Sequence, residues 1–302
     1  MNATKRLTIS PREVPQRIIL SRKGFDQSAG GWPSPILPDR TLLSIPIPEI
    51  NYAGVRTLYE ELGNNPKLPS TLVSVRGRRK MLSGPVHLDP DLRPGLRKIN
   101  TSTSALLFGQ DGGPQTILEG AGVREGDLFL FFGWFRESER PNEKGEVCFR
   151  RGATNWHVIW GWLQVQKPAP INRTGTLTRD IACLHHHPHI EDRNRSNNCV
   201  YVATRELSFL KGTGGGGIFP KYHESLRLTA PNEERRSHWC LPHFFQNVDL
   251  GFHRTRDASK WEPRLNGLHG KSVGRGQEFV FNTGGVQAEV AKWLSKLFAN
   301  VV

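Results

Sequence analysis

The chain has 302 residues, 36% of them hydrophobic, and its 41 Lys and Arg against 28 Asp and Glu leave a net charge of +13. Fifteen phenylalanines and eight tryptophans exclude a globally disordered chain, and no apolar run approaches the roughly 18 residues of a membrane span. Met1–Ser10 is too polar for a signal peptide, and Cys148, Cys183, Cys199 and Cys240 form no CxxC pair, so the expectation is a cytoplasmic protein without disulfide framework or zinc ribbon.

Residues 1–15, with Lys5, Arg6, Arg12 and two prolines, read as a flexible basic lead-in to a single domain spanning 16–302. Ile18-Ile19-Leu20 predicts the first strand, ended by Lys23-Gly24, and a loop follows over Phe25–Gly31. Five prolines between Trp32 and Pro48 exclude a helix there, whereas Tyr52–Leu62 predicts one, stopped by Gly63-Asn64-Asn65-Pro66. Strands are expected at Leu128–Phe132, Val147–Phe149, His157–Val165 and Cys199–Val202, and Gly212–Gly217 reads as a mobile loop. At the end, Val286, Val290, Trp293, Leu294 and Leu297 recur at helical spacing and define one apolar face. No internal repeat is visible.

The charge points to a polyanion, with nucleic acid the leading partner class, because each cation placed near a phosphate releases counterions. Arg76, Arg78, Arg79 and Lys80 flank Gly77, Arg235 adjoins Arg236, and Arg22-Lys23 opens a glycine-rich turn. In that turn, RKGFDQSAGG (22–31), Gly24, Gly30 and Gly31 expose backbone N–H groups to an anion, while Lys23 adds charge and Asp26 a carboxylate. The competing reading is a tight turn capped by Asp26. The P-loop pattern is absent.

Eight segments run in order along the chain: RKGFDQSAGG (22–31), PSPILPD (33–39), HLDPDL (87–92), LFGQ (107–110), GDLFLFFGWF (126–135), HVIWGWLQV (157–165), LRLTAP (226–231) and RGQEFV (275–280). Together they resemble the third type of nucleotide-modification-associated domain. The resemblance implies action on hypermodified bases of phage and bacterial DNA. It further implies similarity to a defence glycosylase that removes glucosylated hydroxymethylcytosine from phage DNA.

The middle strands look similar to PUA-like (EVE/ASCH-like) modules, so the expected fold is α+β: a mixed sheet or small β-barrel core, peripheral helices and a C-terminal amphipathic helix. Such barrels hold an extruded base among aromatic rings, for which Trp134, Phe135, Trp156, Trp160 and Trp162 are available. For any single one of these rings, core packing is the competing reading. Alternation puts Trp160 and Trp162 on one face of their strand and His157 on the other.

Asp26, Asp89, Asp91 and Asp127 lie in the family-like segments. Cleaving an N-glycosidic bond develops positive charge on the sugar, which an ionised carboxylate stabilises while a second group assists the leaving base. Asp26 and Asp127 are the choices for that chemistry, although Asp127 after a glycine can equally cap a turn. The expected DNA- or base-binding residues are Arg22, Lys23, Ser28, Gly30, Gly31, Gln110, Trp134, Phe135, His157, Trp160 and Arg275. Gly109-Gln110-Asp111 lacks the Pro-Tyr-His continuation of a uracil-glycosylase turn. Cys183, His185, His186, His187 and His189 carry zinc-compatible donors but no second ligand pair at metal spacing, and read as a hydrogen-bonded loop. The expected protein is therefore a DNA glycosylase without metal or cofactor, acting on duplex DNA that carries modified bases, with no membrane or obligate protein partner. A non-catalytic reader and a transferase are the alternatives, the latter without a Rossmann fingerprint for its donor.

Overall fold

The computed structural model describes residues 7–27, 30–49, 86–93, 105–140, 143, 148–171, 187–192, 195–248, 250–252, 261–272 and 278–301. In chain order its principal strands are β1 Arg17–Arg22, β2 Ser34–Ile36, β3 Leu107–Gln110, β4 Leu128–Glu137, β5 Asn155–Ile171 and β6 Asn198–Ala203. After them come β7 Glu206–Leu207, β8 Leu210–Gly214, β9 Gly216–Ile218, β10 His238–Leu241, β11 Leu250–Phe252, β12 Trp261–Arg264, β13 Gly267–Lys271 and β14 Glu278–Asn282. The helices are α1 Gly112–Gly120, α2 Pro188–Glu191 and α3 Gln287–Leu297.

The main sheet runs β11-β14-β1-β4-β5-β6-β3, with β2 added on β4 and β9 on β5. β1 and β4 are parallel, in the register Ile18–Leu128 to Arg22–Phe132, and β14 flanks β1 antiparallel. Leu128–Phe132, five bulky apolar residues, lies fully buried at the centre of this sheet. Consecutive burial rather than alternation marks a strand covered on both faces.

This is a mixed α+β fold, and among the described residues the sheet does not close into the expected barrel. The reason lies in β5. Its first half pairs with β4 and its second half with β6, with register shifts opposite Phe131/Phe132 and at Val165/Lys167. Bulges of this kind bend a strand and sharpen its twist. The sheet folds over on itself, and Phe108 of β3 packs on Phe129 and Phe131 of β4 and on Tyr201 of β6. Its two halves meet through side chains: Gln110 Nε2 on β3 donates to Glu278 Oε1 on β14 at 2.5 Å.

The C-terminal helix forms as its periodicity requires. Val290, Ala291, Trp293, Leu294 and Leu297 are buried, and Trp293 packs against Phe244, Phe245 and Phe281. Residues 7–15 differ from the expected loose lead-in: Ile9 is buried, its amide donates to Ser295 Oγ, and Pro11–Glu13 form a 3-10 turn. The glycine run is not a loop either, because it supplies β8 and β9. A Cβ on Gly217 would stand 2.6 Å from the Trp162 ring, so glycine is what lets β9 lie against that indole. Of the strand expected at Val147–Phe149, the described part makes one isolated bridge, from Phe149 to Ser138. The helix expected at Tyr52–Leu62 and the Arg76–Lys80 cluster fall outside the described residues. No helix among the described residues is long and apolar enough to cross a membrane.

Candidate functional site

Where β1 ends, the chain must turn beside its parallel neighbour, and Lys23 is fixed there by a bond from its amide to Phe132 O at 2.8 Å. Its ammonium lies over the Phe108 ring at 4.4 Å and 3.8 Å from Asp89 Oδ2. Asp89 arrives on the 86–92 stretch, tied to the rest of the fold by the Pro48–Val86 and Asp91–Leu107 bridges. Asp89 Oδ1 accepts the Gly109 amide at 2.6 Å. Gly109 tolerates no side chain, since a Cβ there would stand 2.3 Å from the His189 ring.

Three histidines surround this carboxylate, and their hydrogen bonds assign them different roles. His187 Nδ1 accepts the His189 amide as the cap of α2, which leaves its Nε2 proton facing Asp89 Oδ1 at 3.3 Å. His87 Nδ1 stands 2.6 Å from Glu49 Oε2, and His189 Nδ1 stands 2.8 Å from Asn198 Oδ1. Both Nδ1 atoms therefore donate, and in the neutral ring Nε2 is the nitrogen that carries the lone pair. Those Nε2 atoms lie 4.0 and 3.8 Å from Asp89 Oδ2. His87, Asp89 and His189 thus present three ligand atoms within 4.8 Å of one another. Arg195 braces this shell, 3.8 Å from Glu49 and 2.9 Å from Asp111.

Burial alone would raise the Asp89 carboxyl, but the His187 hydrogen bond and the nearby Lys23 charge outweigh it and hold the group below its ordinary value. Glu278 behaves oppositely. Burial pushes it up to about 7, against the pull of Lys23 and the bonds from Ser21 and Gln110. Its Oε1 takes both of those bonds, while Oε2 is buried without a hydrogen-bond partner among the described residues. Two carboxyls of different protonation therefore flank one lysine, an arrangement that concentrates at reactive sites.

A cleft opens beside Asp89, lined by Gly24, Ser44, Leu88, Arg93 and Trp160 among others. Trp160 is the residue skipped where β4 and β5 shift register, and such a bulge re-aims its side chain. Its ring is buried but its indole Nε1 has no hydrogen-bond partner among the described residues. Trp162, beyond the bulge, packs on Phe219 and Phe298 and donates to Gly214 O.

The structure separates several residues that the sequence grouped. Asp127 is buried and accepts the Arg17 and Arg124 amides at 3.1 and 2.9 Å, with the Arg17 guanidinium at 3.4 Å. It caps the turn into β4 at the start of β1, whereas Asp26 lies past the other end of that strand, which spans about 17 Å. The two cannot serve one bond. Asp26 sits 3.6 Å from the Arg22 guanidinium, and its carbonyl accepts the Gly31 amide at 2.7 Å. Gly30 holds the turn at positive φ, its Cα against the Phe25 ring. Arg236 stacks over Trp134 at 4.2 Å and donates to Gln27, forming a cationic surface beside Arg22. Phe135 and His157 are core: Phe135 is 1% exposed, and His157 accepts the Trp239 indole proton at 2.9 Å. Burial drives His157 well below its ordinary value, helped by the charges of Arg236 and Arg22. Lys23 and Gln110 belong to the buried site, not to a phosphate-facing surface. Ser28 and Arg275 lie outside the described residues.

Sequence reasoning did not single out His87 or Glu278, read His187 and His189 as loop residues despite their zinc-compatible donors, and passed over Asp89. The HxD step of His87 and Asp89 in HLDPDL was the available signal. The partner pair it needed lay about a hundred residues downstream.

The family described as nucleotide modification associated domain 3 matches residues 17–282. No curated protein and no solved structure matches the chain.

Proposed function

The chain belongs to the nucleotide modification associated domain 3 family, and on that premise we propose that it is a DNA glycosylase that excises a bulky modified base. The substrate in this reading is glucosylated hydroxymethylcytosine in the duplex DNA of an infecting phage, met in the cytoplasm, and the role is antiviral defence. The base is extruded into the cleft beside Asp89. Asp89 and the imidazoles around it hold and deprotonate a water that adds to the sugar carbon. The carbon–nitrogen bond breaks with its electron pair leaving on the base, which takes up a proton, and an abasic site remains.

One observation carries this reading: Asp89, held ionised, and the indole N–H of Trp160, unmatched among the described residues, line the same cleft. A flipped base offers both a ring to stack and acceptors for that N–H, and its stacking contributes about 1–3 kcal/mol. The folded sheet with its aromatic interior supports a base-holding module of PUA-like kind, open along one seam. Arg22 and Arg236 with Trp134 supply a cationic surface next to the turn that borders the cleft, in keeping with the net charge of +13.

Purified protein incubated with glucosylated phage DNA should release free base and leave alkali-sensitive sites, and plain DNA should stay intact. Retarded but intact modified DNA would make the protein a reader and end the glycosylase reading.

A further inference from the structure

We propose that His87, Asp89 and His189 bind one divalent transition-metal ion of the zinc class beside the cleft that Asp89 lines. Both histidines turn their Nδ1 protons away, His87 to Glu49 at 2.6 Å and His189 to Asn198 at 2.8 Å. Asn198 is itself fixed, because its Nδ2 donates to His189 O at 2.6 Å. Imidazoles held by an outer carboxylate or amide, with the other nitrogen bare, are the arrangement that metal sites use to orient their ligands.

The bare nitrogens face an anion. Asp89 Oδ1 accepts the Gly109 amide, with His187 Nε2 3.3 Å away, and Oδ2 is the oxygen nearer His87 and His189. With both imidazoles in their neutral, metal-binding form, two lone pairs and a carboxylate oxygen converge at 3.8 and 4.0 Å. Such a convergence of acceptors repels unless a cation sits among them. Zinc bonds of about 2.0–2.2 Å at tetrahedral angles separate ligand atoms by about 3.3–3.6 Å. The two pairs to Asp89 need a contraction of well under about 1 Å to reach that spacing, and the pair of imidazoles, within 4.8 Å, at most about 1.5 Å.

Lys23 is the competing cation. Its Nζ lies 3.8 Å from Asp89 Oδ2, beyond hydrogen-bond reach, and rests against the Phe108 ring. It contributes charge to Asp89 without occupying the space between the imidazoles. Two histidines and one carboxylate leave positions for water, and a bound ion lowers the pKa of that water toward 7. Ion binding stands apart from the reaction assigned above. In base excision the ion would carry the attacking water, with Asp89 acting as its ligand.

The test uses the full chain, stripped with a chelator and titrated with Zn2+ in the absence of DNA, so its outcome is separate from that of the base-release assay. Calorimetry and elemental analysis should give one tightly held equivalent per chain, with a higher Tm on loading. His87→Gln and His189→Gln should each weaken uptake at least tenfold, and Glu49→Gln about tenfold, while His185→Ala with His186→Ala keeps it. X-ray absorption of the unmutated, loaded chain should show imidazole and oxygen donors only, which does not depend on any variant folding. The proposal is overturned by absent uptake, by a sulfur shell at about 2.3 Å, by uptake unchanged in the two ligand variants, or by uptake seen only after Lys23→Met.

Discussion

Asp127 and Asp89 both lie buried, one by the start of β1 and the other beyond its end, and their surroundings could hardly differ more. Around Asp127 the partners are two backbone amides and one arginine that reaches 3.4 Å. Burial there outweighs them, and the carboxyl is raised above its ordinary value. At Asp89 burial acts in the same direction, yet the His187 bond and the charge of Lys23 win, and the carboxyl is lowered. One carboxylate has its oxygens filled by neighbours that close a turn. The other keeps an oxygen facing bare imidazole nitrogens, beside a cleft. Burial does not distinguish a structural from a functional carboxylate; the charge and completeness of its partners do.

The largest expected effect falls on the structural end. Asp127→Ala leaves two buried amides unmatched and should cost about 3 kcal/mol of stability, read as a lower denaturation midpoint. Base release per folded molecule should not change, and a loss there would erase the distinction between the two carboxylates.

Next is the behaviour of Glu278 with pH. Its folded-state value near 7 exceeds the ordinary 4.5, so folding favours the protonated form. That preference contributes fully below about pH 4.5 and is lost as pH rises through about 7. Glu278→Gln, neutral at every pH, should melt a few degrees above the wild type at pH 8 and level with it at pH 4.5. Equal melting at both would mean that Glu278 does not titrate in the way its burial requires.

Trp160→Phe keeps the ring and removes the unmatched N–H. It should lower base release five- to tenfold, about the value of one hydrogen bond, with little change in Tm. A shift in Tm alone would return Trp160 to the core. The smallest effect belongs to Arg236→Ala, which should weaken plain and modified DNA alike by a few-fold and reduce the salt slope by about 1.

How much of this was written in the sequence follows from the range of the interactions. The apolar run Leu128–Phe132 and the period of Val286–Leu297 are local signals of burial, and both elements formed as read. The turn after β1 holds Lys23, which the structure places 3.8 Å from Asp89. Asp26 was chosen over Asp89 because it stood in that turn, but its carboxylate faces Arg22 at 3.6 Å. The site itself is assembled across the fold. Gln110 meets Glu278 from 168 residues away, and no spacing rule reaches that far. His87 completes a histidine-rich segment that looked incomplete for the same reason. The one-residue register shift at Trp160 is likewise invisible to alternation, because a bulge does not alter the composition of its strand.

The central claim, that chemistry resides at Asp89, is tested most directly by single-turnover release of base from glucosylated DNA. Asp89→Asn and Asp127→Asn are compared with the wild type at a temperature where all three are folded. The account predicts a loss of at least about 100-fold for Asp89→Asn, the usual order for a positioned acid–base group, and a wild-type rate for Asp127→Asn. A wild-type rate in Asp89→Asn, or an equal loss in both, would contradict it.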